Sequence, residues 1–176
     1  PFGVEVRIVD DDGNRLPHDG VAFGELQVRG PWVIQSYFKD DESRLTEDGW
    51  FPTGDVATID SQCYIHITDR SKDLIKSGGE WISSIDVENT AMGHDDIVMA
   101  AVIGIPGDGP GEVGMAFIVP SDTLSAPSEA EIIAWCKERF ANFKVPRKVV
   151  FLEALPRNAS AKVLKTELRK QALNGP

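Results

Sequence analysis

Two uninterrupted apolar runs constrain this chain more than any other feature. Ile97 to Ile105 and Val113 to Val119 carry no charged side chain, and Pro106 to Gly111 makes the turn between them. Continuous runs of this length, bounded by turn residues, predict strands buried on both faces. Helical patterns flank them. Ser83 or Ser84 caps a helix running to about Met92, with Gly93 at its end. Ser128 and Glu131 form a capping box, and the helix they open carries an apolar stripe of Ile132, Ile133, Trp135, Cys136 and Phe140. Lys148 to Leu152 reads as a third strand. A last helix runs from about Val163 to Ala172, with Leu164 and Leu168 on one face. Ahead of these elements, Leu74-Ile75-Lys76 is one arm of a short hairpin that turns at Gly78-Gly79. The order β-hairpin, α, β, β, α, β, α predicts a compact α+β domain over residues 70–176, with an antiparallel or mixed sheet.

Residues 1–69 read differently, as a small all-β subdomain. Val4 to Val9 alternates in period 2, and Asp11 to Asn14 makes a turn. Gly24 to Gly30 alternates between bounding glycines. Trp32 to Tyr37 is apolar and predicts a lead into a short helix. Ala57-Thr58-Ile59 and Tyr64 to Ile67 flank a hairpin turn at Asp60 to Cys63. No repeat and no low-complexity tether separates the two regions, so the boundary is expected at Asp69–Lys72.

Several function classes drop out on composition. The net charge is −10, and the imbalance sits in residues 1–69, with 5 Lys and Arg against 14 Asp and Glu. An acidic chain of this kind is unsuited to non-specific nucleic-acid binding. The basic groups between Lys137 and Lys170 read as a solvated surface or as a contact for a phosphate-bearing small molecule. No stretch approaches the ~20 apolar residues of a membrane span. Cys63 and Cys136 lie far apart without CxxC spacing, and His18, His66 and His94 show no ligand spacing, so no metal site is expected. Reduced thiols in a cytoplasmic setting are the default. There is no signal-peptide pattern and no initiator Met. Pro1-Phe2-Gly3 runs straight into a strand pattern, so an excised fragment is expected.

Three stretches carry chemistry. In Gly49-Trp50-Phe51-Pro52-Thr53-Gly54-Asp55 a carboxylate follows a glycine turn. Such a group can accept two hydrogen bonds from a ribose diol or can simply cap the turn. Asp69-Arg70-Ser71-Lys72-Asp73 reads on its own as a salt-bridged surface turn. It runs on into Lys76-Ser77-Gly78-Gly79-Glu80-Trp81, whose paired glycines let a backbone approach a ligand closely. Trp81 suits either core packing or stacking on a ligand. Leu155-Pro156-Arg157-Asn158-Ala159-Ser160-Ala161-Lys162 sets one lysine on a loop of small residues ahead of a basic helix. A lysine ammonium is a compact point charge for a phosphate or carboxylate oxygen.

Together, in this order and spacing, with Gly24 to Gly30 and Tyr37-Phe38 upstream, these stretches resemble the signature of the adenylate-forming enzymes. That superfamily holds the acyl-CoA synthetases, the adenylation domains of peptide synthetases and firefly luciferase. The resemblance spans nearly the whole chain and implies the C-terminal third of a longer enzyme. It implies that Asp55 and Arg70 contact the nucleotide ribose and that Ile67 packs near the nucleotide. Lys72 would be the hinge of a mobile C-terminal domain. Gly78, Gly79, Glu80 and Trp81 would line the pantetheine tunnel, and Lys162 would be the catalytic cation of adenylation. ATP and CoA would be the cosubstrates, with Mg2+ held mainly by a preceding N-terminal domain, which would be the main partner. Ser77 to Ser84 is most similar to the medium- and long-chain fatty acyl-CoA synthetases.

The implied reaction is acid plus ATP to acyl-adenylate plus pyrophosphate, then CoA thioester plus AMP. The chain alone, lacking a Ser/Thr/Gly-rich phosphate loop, would be inactive. An aryl- or other acid-CoA ligase and a stand-alone nucleotide- or CoA-binding regulatory module are the alternatives. Two positions depart from the family pattern: Ala161 and Cys63 stand where glycine is usual. If those turns need a positive φ, the side chains there are strained.

Overall fold

In the computed structural model, which describes residues 2–39, 42–107, 109–122 and 126–174, the chain forms two compact units, residues 1–72 and 73–176. The first is a four-stranded antiparallel sheet of β1 (Glu5–Val9), β2 (Phe23–Arg29), β3 (Phe51–Ile59) and β4 (Ile65–Arg70), in that order. Alternation puts Ile8, Leu26, Ala57 and Ile59 together on one face as a small core. The opposite face of β1 and β2 pairs Glu5 with Arg29 and Arg7 with Gln27. Trp50 lies there, 7% exposed, with the Arg7 and Arg29 guanidinium carbons 4.4 and 4.5 Å from its ring. Trp32 to Tyr37, expected to lead into a short helix, is turns and bends, and among the described residues no helix follows it before β3. Trp32 is 76% and Tyr37 54% exposed, so no core face rewards a helix there.

The second unit matches the expected order. A hairpin of β5 (Ile75–Ser77) and β6 (Glu80–Ile82) leads into α1 (Ser84–Met92). Then come β7 (Ile97–Pro106), β8 (Glu112–Pro120), α2 (Glu129–Lys137), β9 (Lys148–Phe151) and α3 (Lys165–Asn174). Asp108, in the expected Pro106–Gly111 turn, lies outside the described residues. The sheet is mixed: β7 and β8 run antiparallel, while β8 and β9 run parallel. A parallel neighbour requires a crossover, and α2 provides it.

Both faces of this sheet are buried. Ala100, Val102, Ala116 and Ile118 meet Ile75, Ile82, Val87 and Ile132 on one side. Ala101, Ile103, Met115 and Phe117 meet Leu155 and Leu168 on the other. That two-sided burial is why the two runs do not alternate.

Capping is as the sequence predicts. The Ser83 Oγ accepts from Asp86 N at 3.1 Å, and Ser128 and Glu131 close a reciprocal box. Gly93 ends α1 in a right-handed conformation, φ −72°, so its lack of a side chain is not required by φ. The last helix starts two residues later than expected, because Val163 forms a β-bridge with Arg157.

Candidate functional site

In the first unit, Asp55 and Arg70 are cross-strand partners on β3 and β4. The Asp55 Oδ1 lies 2.9 Å from Arg70 Nε. Gly54 makes the local bend with φ +74°, and a Cβ built there would meet nothing within 4 Å. Thr53 secures the bend: its hydroxyl donates to Leu26 O at 2.9 Å and accepts from Asp55 N at 3.1 Å. The carboxylate therefore sits at the middle of β3 on a braced bend, with its side chain 21% exposed. Ile67 lies on β4, paired with Ala57 and 56% exposed. A β-bulge between Val56 and Ala57 interrupts the pairing between these two positions.

Lys72 is exposed and lies in a turn beyond β4. Ser71 before it donates its N–H to Gly54 O at 3.0 Å. Asp73 after it is 9% exposed, and its Oδ1 lies 2.8 Å from Arg169 Nη2 on α3.

In the second unit, Gly78 and Gly79 have φ +57° and +89°. Two successive positive values define a two-residue hairpin turn of the primed type, which suits the strand twist and favours glycine. The glycines are needed for conformation here, since a Cβ at either would meet nothing within 4 Å. Gly111 is needed for space as well: a Cβ there would come within 2.7 Å of Lys76 O. Glu80 is exposed and pairs with Ser77. Trp81 is half-buried opposite Lys76, whose Nζ lies 4.8 Å from the ring centroid. It thus belongs to the hairpin surface, outside the buried core.

Lys162 stands exposed on a separate tight hairpin. Asn158 N donates to Lys162 O at 3.0 Å, and Ala161 N donates to Asn158 O at 3.0 Å. Ala161 has φ +61°, the left-handed residue of a three-residue hairpin loop with a bulge. Cys63 has φ +65° in the β3–β4 turn. Both positions where glycine was expected therefore carry the strain that the sequence reading named.

Three residues that sequence reasoning passed over act on this region. The Asn158 side chain caps the loop from within, accepting from Ser160 N at 3.0 Å and from Lys162 N at 2.9 Å. An Asn four residues before a lysine in a turn-rich loop was the available signal. Lys165 and Glu88 meet at 2.6 Å, a pairing between helices that local sequence does not mark. Among the described residues, no group of three or more His, Cys, Asp or Glu side chains could hold a metal ion, and no helix is long and apolar enough to cross a membrane.

Residues 86–162 match the family model of the AMP-binding enzyme C-terminal domain. The second unit carries the C-terminal domain of AMP-binding enzymes. It is 54% identical over 178 residues to a 3-methylmercaptopropionyl-CoA ligase of Ruegeria lacuscaerulensis, covering 99% of this chain and 33% of the relative. It is 45% identical to a medium-chain-fatty-acid–CoA ligase of Ectopseudomonas oleovorans, covering 97% of this chain and 31% of that one. Among solved structures, ATP-bound MatB from Rhodopseudomonas palustris superposes with a TM-score of 0.84 at 35% identity, over 96% of this chain and 34% of that one. The chain thus spans about a third of the length of the curated relatives it matches.

Proposed function

We propose that this chain forms the C-terminal portion of an ATP-dependent acyl-CoA ligase acting on an aliphatic acid, with a fatty acid as the favoured substrate. The observation that carries the proposal is the presentation of Lys162. Its ammonium extends from a braced loop into solvent, while Lys165, three residues on, is held by Glu88. One lysine serves the fold, and the other is set out for a ligand.

The chemistry follows from charge. In adenylation a carboxylate oxygen bonds to the α-phosphorus of ATP, and pyrophosphate departs with the electron pair of the broken P–O bond. Negative charge concentrates on the phosphoryl oxygens as this happens, and a preorganised cation there lowers the barrier. Asp55 and Arg70 suit a ribose: the carboxylate accepts from the diol, and the guanidinium holds the carboxylate in place. In the second half-reaction the CoA thiol attacks the acyl carbon and AMP leaves. The primed turn at Gly78-Gly79 would border the pantetheine. Lys72 would be the hinge between the two orientations of residues 73–176. Mg2+ would be held by a preceding domain. That domain would also cover the apolar side chains that the first unit exposes, among them Trp32, Phe38 and Ile67. The free thiols Cys63 and Cys136 suit a cytoplasmic setting.

The test is made in the full-length ligase. Lys162→Ala should slow acid-dependent pyrophosphate exchange about 10²–10³-fold. Thioester formation from pre-formed acyl-adenylate and CoA should persist. Equal loss in both assays, in a folded variant, refutes the assignment. The 176-residue chain alone should form no thioester from fatty acid, ATP and CoA. Limited proteolysis with a protease of broad specificity should cut first near Arg70–Lys72, and resistance there with early cutting within 97–119 would refute the boundary.

A further inference from the structure

We propose that Asn158 is a positioning residue for Lys162, and that its side chain is an amide so that the clamp adds no negative charge beside the lysine. The proposal rests on the function proposed above. The same five-residue turn occurs four times among the described residues, each with the first N–H bonded to the fifth carbonyl and the fourth N–H to the first carbonyl: 10–14, 46–50, 60–64 and 158–162. In each the fourth residue has positive φ: Gly13, Gly49, Cys63 and Ala161. In each the first side chain accepts the N–H of the fifth residue. Asp10 does so for Asn14 at 2.8 Å, Thr46 for Trp50 at 3.0 Å, Asp60 for Tyr64 at 2.9 Å and Asn158 for Lys162 at 2.9 Å.

The chain therefore builds this clamp with a carboxylate, a hydroxyl or an amide. A carboxylate is the strongest acceptor of a backbone N–H. At 158 it would also put a negative charge on the same five-residue turn as the ammonium that must face an anionic substrate, and would offset part of its field. The amide keeps the two acceptor bonds, to Ser160 N and Lys162 N, without that charge. Arg157 adds to the brace by donating to Ala161 O.

Three substitutions separate the two halves of the proposal. Asn158→Ala removes the clamp, Asn158→Asp keeps it and adds a charge, and Asn158→Thr substitutes the neutral acceptor that Thr46 provides. The first reading is amide hydrogen exchange at Ser160 and Lys162 in this chain, which does not depend on any catalytic role. Protection should fall in the Ala variant and persist at Lys162 in the Asp and Thr variants. The second reading is the kcat of pyrophosphate exchange in the full-length ligase. Ala should lower it about 10-fold through misplacement, with thioester formation from acyl-adenylate unchanged. Thr should recover most of the loss, while Asp should stay low despite an intact turn. In a Lys162→Ala background, Asn158→Ala should cost nothing further.

Unchanged protection in the Ala variant overturns the clamp. A further loss in the Lys162→Ala background shows that Asn158 does not act through Lys162, and full activity of the Asp variant overturns the charge argument. If Lys162→Ala itself leaves pyrophosphate exchange intact, the proposed function fails and the catalytic half of this proposal with it, whatever the exchange data show.

Discussion

Lys165 Nζ lies 2.6 Å from Glu88 Oε1 and 2.7 Å from Ser84 Oγ, joining the first residue of α3 to α1. The same Glu88 oxygen accepts the N–H of Val102 on β7 at 2.8 Å. One carboxylate thus ties two helices to the central sheet, with both ionic side chains 15% exposed. Removing one partner leaves the other charge poorly solvated. Lys165→Met should cost about 2–4 kcal/mol in urea unfolding, below the upper figures for pairs fully shielded from water. Lys162→Met, at an exposed loop position, should change stability by less than ~0.5 kcal/mol. Adding Glu88→Leu to Lys165→Met should recover only part of the loss, because Val102 N then has no acceptor.

Leu168 is fully buried on α3, against the face of the sheet that carries Phe117 and Ile103. Leu168→Ala should destabilise the second unit by about 2–5 kcal/mol, the range for a leucine cavity. Calorimetry should show that transition shift while the transition of residues 1–72 stays in place.

The turn at Gly78-Gly79 makes two substitutions diverge. Asn adopts the left-handed conformation readily, so Gly78→Asn should change stability little. Gly79→Leu forces a branched side chain to φ +89°, at a cost of about 1–2 kcal/mol. In the full-length ligase the added bulk should block thioester formation and spare pyrophosphate exchange, the reverse of Lys162→Ala. Loss of both activities in a folded Gly79→Leu enzyme would remove the hairpin from the second step.

Cys63 and Ala161 occupy left-handed positions, at φ +65° and +61°. Glycine relieves that strain but gains freedom in the unfolded chain, and the two effects partly cancel. Cys63→Gly and Ala161→Gly should each stabilise by up to about 1 kcal/mol, read from thermal melts. Destabilisation by either would mean that the side chain contributes packing beyond its backbone strain.

Asp48 holds its carboxyl at a pKa of about 2, chiefly through the hydrogen bond from Arg7, with a second from the Thr46 hydroxyl. The unfolded carboxyl titrates near 3.8. A lowered native pKa means that the contribution is complete above the unfolded value and is lost as pH falls through the native one. The Asp48–Arg7 pair should therefore support the first unit down to about pH 4 and weaken between pH 4 and 2. Trp50 lies under Arg7 and reports on it by fluorescence. Asp48→Asn should flatten the acid limb in that window and leave the neutral range nearly unchanged.

Much of the architecture was legible from neighbours in the chain. The runs Ile97 to Ile105 and Val113 to Val119 announced a doubly covered sheet because burial on both faces abolishes alternation. Ser128 with Glu131, and Gly78 with Gly79, announced a helix start and a hairpin turn because the groups that satisfy each other lie within four residues. Trp32 to Tyr37 misled because apolar content alone predicts no helix without a surface to bury it.

What the sequence determined by itself was the set of local elements, their order and the positions of the unusual residues: Asp55 after a glycine, paired glycines, Lys162 on a loop. Tertiary structure alone decided that Arg70 would lie beside Asp55, that β9 would run parallel to β8, and that Lys165 would be taken up by Glu88 while Lys162 was left exposed. The physical reason is range. Turns, caps and periodicity are satisfied within one or two turns of chain and leave a pattern in the residues themselves. A charge pair between distant helices leaves none, because either lysine could have met Glu88 until packing of Leu168 against the sheet set the rotation of α3.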